Sequence, residues 1–350
     1  MADAIYAPSQ FRFAIAQQAA WGTENSTQTE FYELDITSPV QPDMASGVIE
    51  DSRKRSDGSI VAKNTDTYRS VVGGTYSIPF ECIATEHTID LLLYGVMQDL
   101  VSSTNVSTEY NNIWEWDGDT VSPDFSANAG LIFTLRGYDP SDAVASTQGN
   151  WMAESCILKS LTLSASPGTN GGRLTASGEF ITGFPISTAE TSTVSDWVSP
   201  GTEYFPFQLY TSCLVAAANL VPYSFSLVFD NSAVRVGNAA GLATNYRMMA
   251  PVVTCEITAK LDAITADLED KYILSPSDGS AEDTVTMAWG AVDADGGLSF
   301  VLNAEYTGPL TRDFGAESGV GVTLSYKGVH DATPNEAIEV KQTNQINRGW

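Results

Sequence analysis

At 350 residues the chain is long enough for two domains, each with its own core. Charged residues make up 17%, lysine is scarce, and acid exceeds base by 26. That balance excludes a surface that grips nucleic acid through Lys and Arg, and predicts one that repels it; a salty habitat would favour the same acidity. No stretch approaches the roughly 20 apolar residues of a membrane helix, and Met1 to Gln10 has neither the basic start nor the apolar run of a secretory leader.

In chain order, Phe11–Ala16 alternates as a short strand, 17–30 reads as a loop around Trp21, and Phe31–Thr37 is a second strand stopped by Pro39 and Pro42. Val48–Val72 reads as two extended arms around Ser56-Asp57-Gly58-Ser59, a tight-hairpin signal. The arms are too polar to join a core, so the hairpin is expected to project. It carries Arg53, Lys54, Arg55, Lys63 and Arg69. Next comes a long strand with Tyr76, Ile78, Phe80 and Cys82 on one face and Thr75, Ser77 and Glu81 on the other. The period then changes: Ile89, Leu92, Leu93, Val96 and Leu100 share one side of a helix, with Glu86 and Asp90 early, where the dipole favours acid.

Ser102–Ala129 reads as a polar loop holding Trp114 and Trp116. Strands follow at Leu131–Tyr138, Ile157–Ser166 and Arg173–Ile181, and Ser187–Thr202 reads as a connector. In the second half, Phe205–Tyr210 and Phe225–Phe229 are strands, and Asp230–Tyr246 is a Gly/Asn-rich counterpart of the long hairpin. Val252–Leu261 alternates and passes into a helix with Leu261, Ile264 and Leu268 at helical spacing. Cys82 and Cys255, Thr85 and Thr258, Leu91 and Ile264, and Leu100 and Ile273 each lie 173 residues apart. Three more strands, Thr284–Gly290, Leu298–Tyr306 and Val320–Lys327, repeat the count after the first helix. The order of elements reads as a duplicated unit: 1–187 with the hairpin at 48–72, a linker at 188–203, a second unit at 204–340, and a loose polar tail at 341–350.

Little in the chain resembles catalytic machinery. His87 and His330 lie far from any serine or cysteine elbow, and Cys82, Cys156, Cys213 and Cys255 form no CxxC or Cys/His cluster. Asp293-Ala-Asp-Gly-Gly297 lacks the closing glutamate of a calcium loop and reads as a hairpin turn. No enzyme, cofactor or metal is expected. The non-core strand positions are more telling: Thr75, Ser77 and Glu81; Ser160, Thr162 and Ser164; Thr175, Ser177 and Glu179; Thr254, Glu256 and Thr258; Ser299, Asn303 and Glu305; Thr323 and Ser325. Short hydroxyls with occasional glutamates suit a wetted, mildly negative wall along which a polyanion slides without sticking. Lys159 falls on the other register and Lys327 at a strand end.

The chain resembles the major tail tube proteins of long-tailed, non-contractile bacteriophages. Ile15-Ala-Gln-Gln-Ala-Ala-Trp-Gly-Thr23 is similar to that family's opening strand and turn. Val48–Phe80 is similar to its polar hairpin and following strand, and Cys82–Met97 to its strand–helix step. Cys156–Gly168 with Gly172–Phe180 resembles its paired mid-chain strands, and Phe225–Asn231 with Val253–Leu261 its later ones. The resemblance implies a mainly β fold: two β-sandwich or half-barrel units, each flanked by a short α-helix, completing a ring-shaped β-barrel on assembly. Relatives form six-fold rings of single units, so two units per chain imply a trimer.

As a tail tube the protein would be a structural subunit of the virion tail, assembled in the host cytoplasm and conducting the genome during ejection. It would contact itself, a tail terminator, a tape measure protein and the tail tip, and meet DNA only in passage, without membrane insertion. Glu81, Glu179, Glu256, Glu305, Thr75, Ser77 and Thr254 are the lumen-facing candidates; Arg53, Lys54, Arg55, Asp57 and Lys63 are the inter-ring candidates. A tube subunit of a contractile tail or secretion machine would share the fold. A transmembrane β-barrel would share the alternation, although Gln342–Trp350 does not alternate as a terminal strand.

Overall fold

A computed structural model of the chain describes residues 10–43, 49–52, 67–70, 74–98, 100–106, 109–116, 124–127, 131–138, 150–188, 194–237, 243–248, 251–274, 282–290, 296–308, 311–313, 320–330 and 336–346. In the first half the strands are β1 (Arg12–Gln17), β2 (Tyr32–Glu33), β3 (Asp35–Ile36), β4 (Ile49–Ser52), β5 (Thr67–Ser70) and β6 (Tyr76–Ile83). Helix α1 (Ile89–Met97) comes next, then β7 (Leu100–Val106), β8 (Glu109–Trp116), β9 (Phe133–Tyr138), β10 (Trp151–Ala165) and β11 (Thr175–Thr182). The second half begins with β12 (Tyr210–Val215), β13 (Ala218–Asn219), β14 (Pro222–Asp230), β15 (Val234–Gly237), β16 (Ala243–Arg247) and β17 (Val252–Lys260). It continues with α2 (Ala263–Glu269), β18 (Glu282–Trp289), β19 (Leu298–Tyr306), β20 (Thr311–Asp313), β21 (Gly321–Gly328) and β22 (Ile338–Asn344).

The protein is mainly β, and its named strand ladders are all antiparallel. One sheet runs β3-β6-β11-β10-β14-β17-β21, with β20 and the end of β19 sharing the far side of β21. Past β19 the pairing continues into a second layer, with β18, β12 and β13 on one side and β22, β8 and β7 on the other. The start of β10 turns away into a smaller sheet with β9, β1 and β2. Followed strand by strand, the described pairings never return to their origin, so the sheet is open and not a closed barrel. The core fills the space between the layers. Phe225 of β14 packs on Trp289 of β18 and Phe300 of β19, with ring centroids 6.0 and 6.2 Å apart.

Order and polarity recur along the first sheet. β3 and β14 each precede a hairpin, β4–β5 and β15–β16. β6 and β17 follow beside them, and each leads to a helix. β11 and β21 then pair on the far side of β6 and β17. The two sets meet where β10 pairs with β14, from Ser160↔Asp230 to Ala165↔Phe225.

Several expectations need correction. α1 packs on the sheet at β10 as an amphipathic helix would, but it also meets β8, so Asp90 and Leu91, outside the predicted apolar side, are buried with Ile89 and Leu93. Leu100 opens β7 instead of extending the helix. In α2 it is Thr265 and Leu268 that are buried, while Ile264 is 37% exposed. The Asp262 capping box, in which Oδ1 accepts from the Thr265 N–H and the Thr265 hydroxyl from the Asp262 N–H, turns Thr265 inward. The polar region 102–129 contains the hairpin β7–β8, in which Trp114 and Trp116 are buried.

The connector at 188–203 is not free over its described part. Trp197 stacks on Phe31, Val198 bridges Tyr32, and the Glu203 carbonyl accepts from the Glu86 N–H at 3.2 Å. Nor is 341–350 a loose tail: its first residues complete β22, wedged between β19 and β8. Polar Gln342 and Asn344 are buried there because both reach the start of α1. The Gln342 amide donates to the Glu86 carbonyl at 2.9 Å, and the Asn344 amide to Asp90 Oδ2 at 3.1 Å.

All four cysteines are free and buried. Burial pushes their thiols up, that of Cys213 to about 12, where an ordinary thiol sits near about 8.5. In the native protein at pH 8 an aromatic disulfide reagent is therefore expected to label none of them within minutes, and all of them once denaturant is added. Rapid labelling before unfolding would show that the core opens locally.

Candidate functional site

The face of the first sheet that turns away from the core carries the candidate residues. A row crosses the strands from Glu81 on β6 through Ser177, Thr162, Val228 and Thr254 to Lys327 on β21 and Glu305 on β19. One step along, Thr175, Ser164, Ser226, Glu256 and Ser325 form a parallel row. Glu179 lies beyond the first row, between Pro79 and Ser160. Strand pairing thus brings Glu81, Glu179, Glu256, Glu305 and Thr254 onto one continuous face, as the alternation predicts. Glu81, Thr254, Glu256 and Glu305 are exposed, while Thr75, Ser77 and Glu179 are half-buried.

The carboxylates are not equivalent. Glu179 accepts from the Ser77 hydroxyl at 2.6 Å and pairs with the Lys159 ammonium at 2.8 Å. Among the described residues no ion pair forms at Glu81, Glu256 or Glu305. Lys159 corrects the reading that placed it on the other register. A bulge between Leu158 and Ser160 shifts the ladder by one residue and returns Lys159 to the glutamate face. With Lys327 exposed beside Glu305, two ammonium groups temper the wall. Thr75, Ser77, Lys159 and Glu179 also line a shallow, open depression bounded by Ala233, Val234 and Arg235 at the foot of β15. Alternation alone missed Lys159 and Arg235; only the bulge and the second hairpin bring them there.

β4 and β5 pair from Ile49↔Ser70 to Ser52↔Thr67, so the arms of the long hairpin are strands. Arg53, Lys54, Arg55, Asp57 and Lys63 lie outside the described residues, as does most of Asp293–Gly297. His87 sits just before α1, its Nε2 3.2 Å from Glu86, and His330 is exposed after β21. No helix among the described residues is long and apolar enough to cross a membrane, which leaves strand-crossing proteins unaddressed.

Chemically, the face offers hydroxyls and solvated carboxylates spread over seven adjoining strands, an extended surface and not a pocket. No protein-family model matches the chain, and comparison with curated proteins gives no match.

Proposed function

We propose that this protein is a structural tube subunit of a viral tail, stacking as rings into the conduit through which the genome leaves. The observation that carries the reading is the recurrent order and polarity in one open sheet. β14 pairs antiparallel with β10, the last strand of the preceding set. The edge formed by β20 and the end of β19 runs in the same sense as β10, and β3 in the same sense as β14. The contact joining the two sets within a chain can therefore recur between the end of one chain and the start of the next. Such a head-to-tail contact closes into a ring when its rotation permits, and it covers the open edges that would otherwise invite aggregation. Two sets per chain make a ring of three chains with six sets.

In such a ring the Ser/Thr/Glu face is the inner wall, and the β4–β5 hairpin projects to the neighbouring ring, where its basic tip meets an acidic surface. DNA then passes a hydrated, net-negative bore. Each phosphate neutralised by a wall cation would add salt-dependent affinity and friction.

Replacing Glu81, Glu179, Glu256 and Glu305 together by lysine is the test. The expected variant assembles into tubes of normal diameter that retain DNA, released by raising salt, and delivers genomes more slowly. Variant tubes that deliver DNA at the parental rate would remove this face from the channel. Glu179→Lys alone is expected to be the most disruptive to folding, since it sets two ammonium groups against each other at Lys159.

A further inference from the structure

The two halves build matching flanks, and the chain covers one of them. In the first half β1 pairs with β9, β9 with β10 and β10 with β11. In the second, β12 pairs with β18, β18 with β19 and β19 with β21. Glycines mark the match: Gly178 of β11 stands opposite Leu161, and Gly328 of β21 opposite Ala304. On the first flank the cover comes from the second half. The β15–β16 hairpin and the residue after it bring Tyr246 and Met248 onto Leu131, Ile157 and Ile181, a cluster apart from the main core. Tyr246 is the anchor. Its buried ring lies 5.4 Å from that of Trp21, in the loop after β1. Its hydroxyl donates to the Ser155 carbonyl at 2.6 Å and accepts from the Gly183 N–H at 2.9 Å, so the polar end is satisfied while the ring is buried.

On the second flank the described residues leave an open depression of about 530 Å³. Thr284 of β18, Asn303 of β19 and Val329, just past β21, line it, together with Ala216 and Ala217 in the turn after β12. The turn that follows the first strand of the flank thus offers two alanines where the first half has Trp21. We propose that this depression receives the β4–β5 hairpin of a second copy of the chain, an inference that rests on the head-to-tail contact proposed above. In that contact β3 of one copy lies beside β20 and the end of β19 of the preceding copy, as β14 lies beside β10. The hairpin that follows β3 is then delivered over β18 and β19, as β15–β16 is delivered over β9 and β10. The sequence holds two Tyr-Arg pairs, Tyr68-Arg69 on β5 and Tyr246-Arg247 on β16, each on the returning strand of its hairpin. Tyr68 therefore takes the part of Tyr246. A second contact beside the sheet edge fixes the rotation between copies, which decides whether a head-to-tail chain closes into a ring or runs on as a fibre.

The test uses full-length chains and a short bismaleimide. Chains with Asp51→Cys, on β4 across from Tyr68, are mixed with chains carrying His330→Cys, exposed one residue past Val329. The four native cysteines are buried and should not react. A second mixture, Thr37→Cys with Glu305→Cys, reports the sheet edge alone; both positions are exposed and match Val228 and Thr162, which face each other across β14 and β10. Expected is a linked dimer in both mixtures and in none of the chains alone. Edge linking without hairpin linking would overturn the docking and leave the ring contact standing. Loss of both would remove the ring contact and the docking with it. Tyr68→Ala beside Asp51→Cys should weaken hairpin linking at least about tenfold, as removal of a buried tyrosine anchor does, and leave edge linking in place. Thr284→Trp, which fills the depression from an exposed position, should do the same in the other chain. Hairpin linking indifferent to both variants would overturn the proposal and give the depression to another occupant.

Discussion

Removal of residues 338–350 is expected to abolish cooperative folding. β22 is wedged between β19 and β8, so its loss opens two ladders at once. Ile338 and Val340 are fully buried, and at about 1.5–3 kcal/mol each they alone account for a large share of a total stability of roughly 5–15 kcal/mol. The deletion also removes the Asn344 amide that donates to Asp90, a carboxylate buried inside α1, and weakening the partners of a buried charge is among the more damaging changes a core can suffer. Thermal unfolding followed by near-ultraviolet dichroism should show a sharp transition for the full chain and none for the truncated one. A truncated protein melting within a few degrees of the parent would mean that the strand only decorates the fold. Asn344→Leu, which keeps the strand and removes the amide, should fall between the two.

Gly178→Val should be nearly as severe, for a different reason. Gly178 lies in the middle of β11 between Phe80 and Leu161. A Cβ there would stand 2.3 Å from the Ser160 carbonyl oxygen and 3.1 Å from the Phe80 ring. The oxygen belongs to the backbone just past the β10 bulge and cannot turn aside as a side chain would. Accommodating the methyl groups means moving β10 off β11, with a cost at or above the upper end of the roughly 1–3 kcal/mol of ordinary overpacking. Because Lys159 reaches the glutamate face through that bulge, the variant should also loosen the Lys159–Glu179 pair. Chemical denaturation should show a lower midpoint, with Gly178→Ala intermediate. A midpoint equal to the parent would show that the two strands have slack at this point.

Strands with one clean buried face were legible: β17 alternates throughout, β6 from Tyr76 to Cys82 and β19 from Phe300 to Glu305, and the bounds of β19 follow from its pattern. The arms β4 and β5 were placed in outline, with Ile49 opposite Ser70, while the Asp57-Gly58 turn itself lies outside the described residues. Elements whose buried residues are polar were not legible. Asn112 is buried in β8 because the Ser103 hydroxyl of β7 donates to it at 2.7 Å, and Gln342 and Asn344 are buried because they meet α1. Those partners are remote in sequence or hidden in a polar run, so a hydropathy pattern reports loop and tail. The helix α1 was legible, but not its second buried side, since one apolar stripe does not report packing against β8 as well as β10. The glutamate face was legible in outline, since register follows from alternation. Lys159 was not, because a single bulged residue exchanges the faces of a strand, whereas Lys327 simply follows Thr323 and Ser325 in the alternation of β21.

The most direct measurement is electron cryomicroscopy of the purified protein at high concentration, with the rotational symmetry of any tube determined from averaged cross-sections. Expected are hollow tubes whose rings contain three chains, show near-six-fold density from two sheet segments per chain, and place Glu81, Glu179, Glu256 and Glu305 on the bore. Rings of six full chains, tubes with these glutamates on the outer surface, or a chain that stays monomeric at every concentration would contradict the reading.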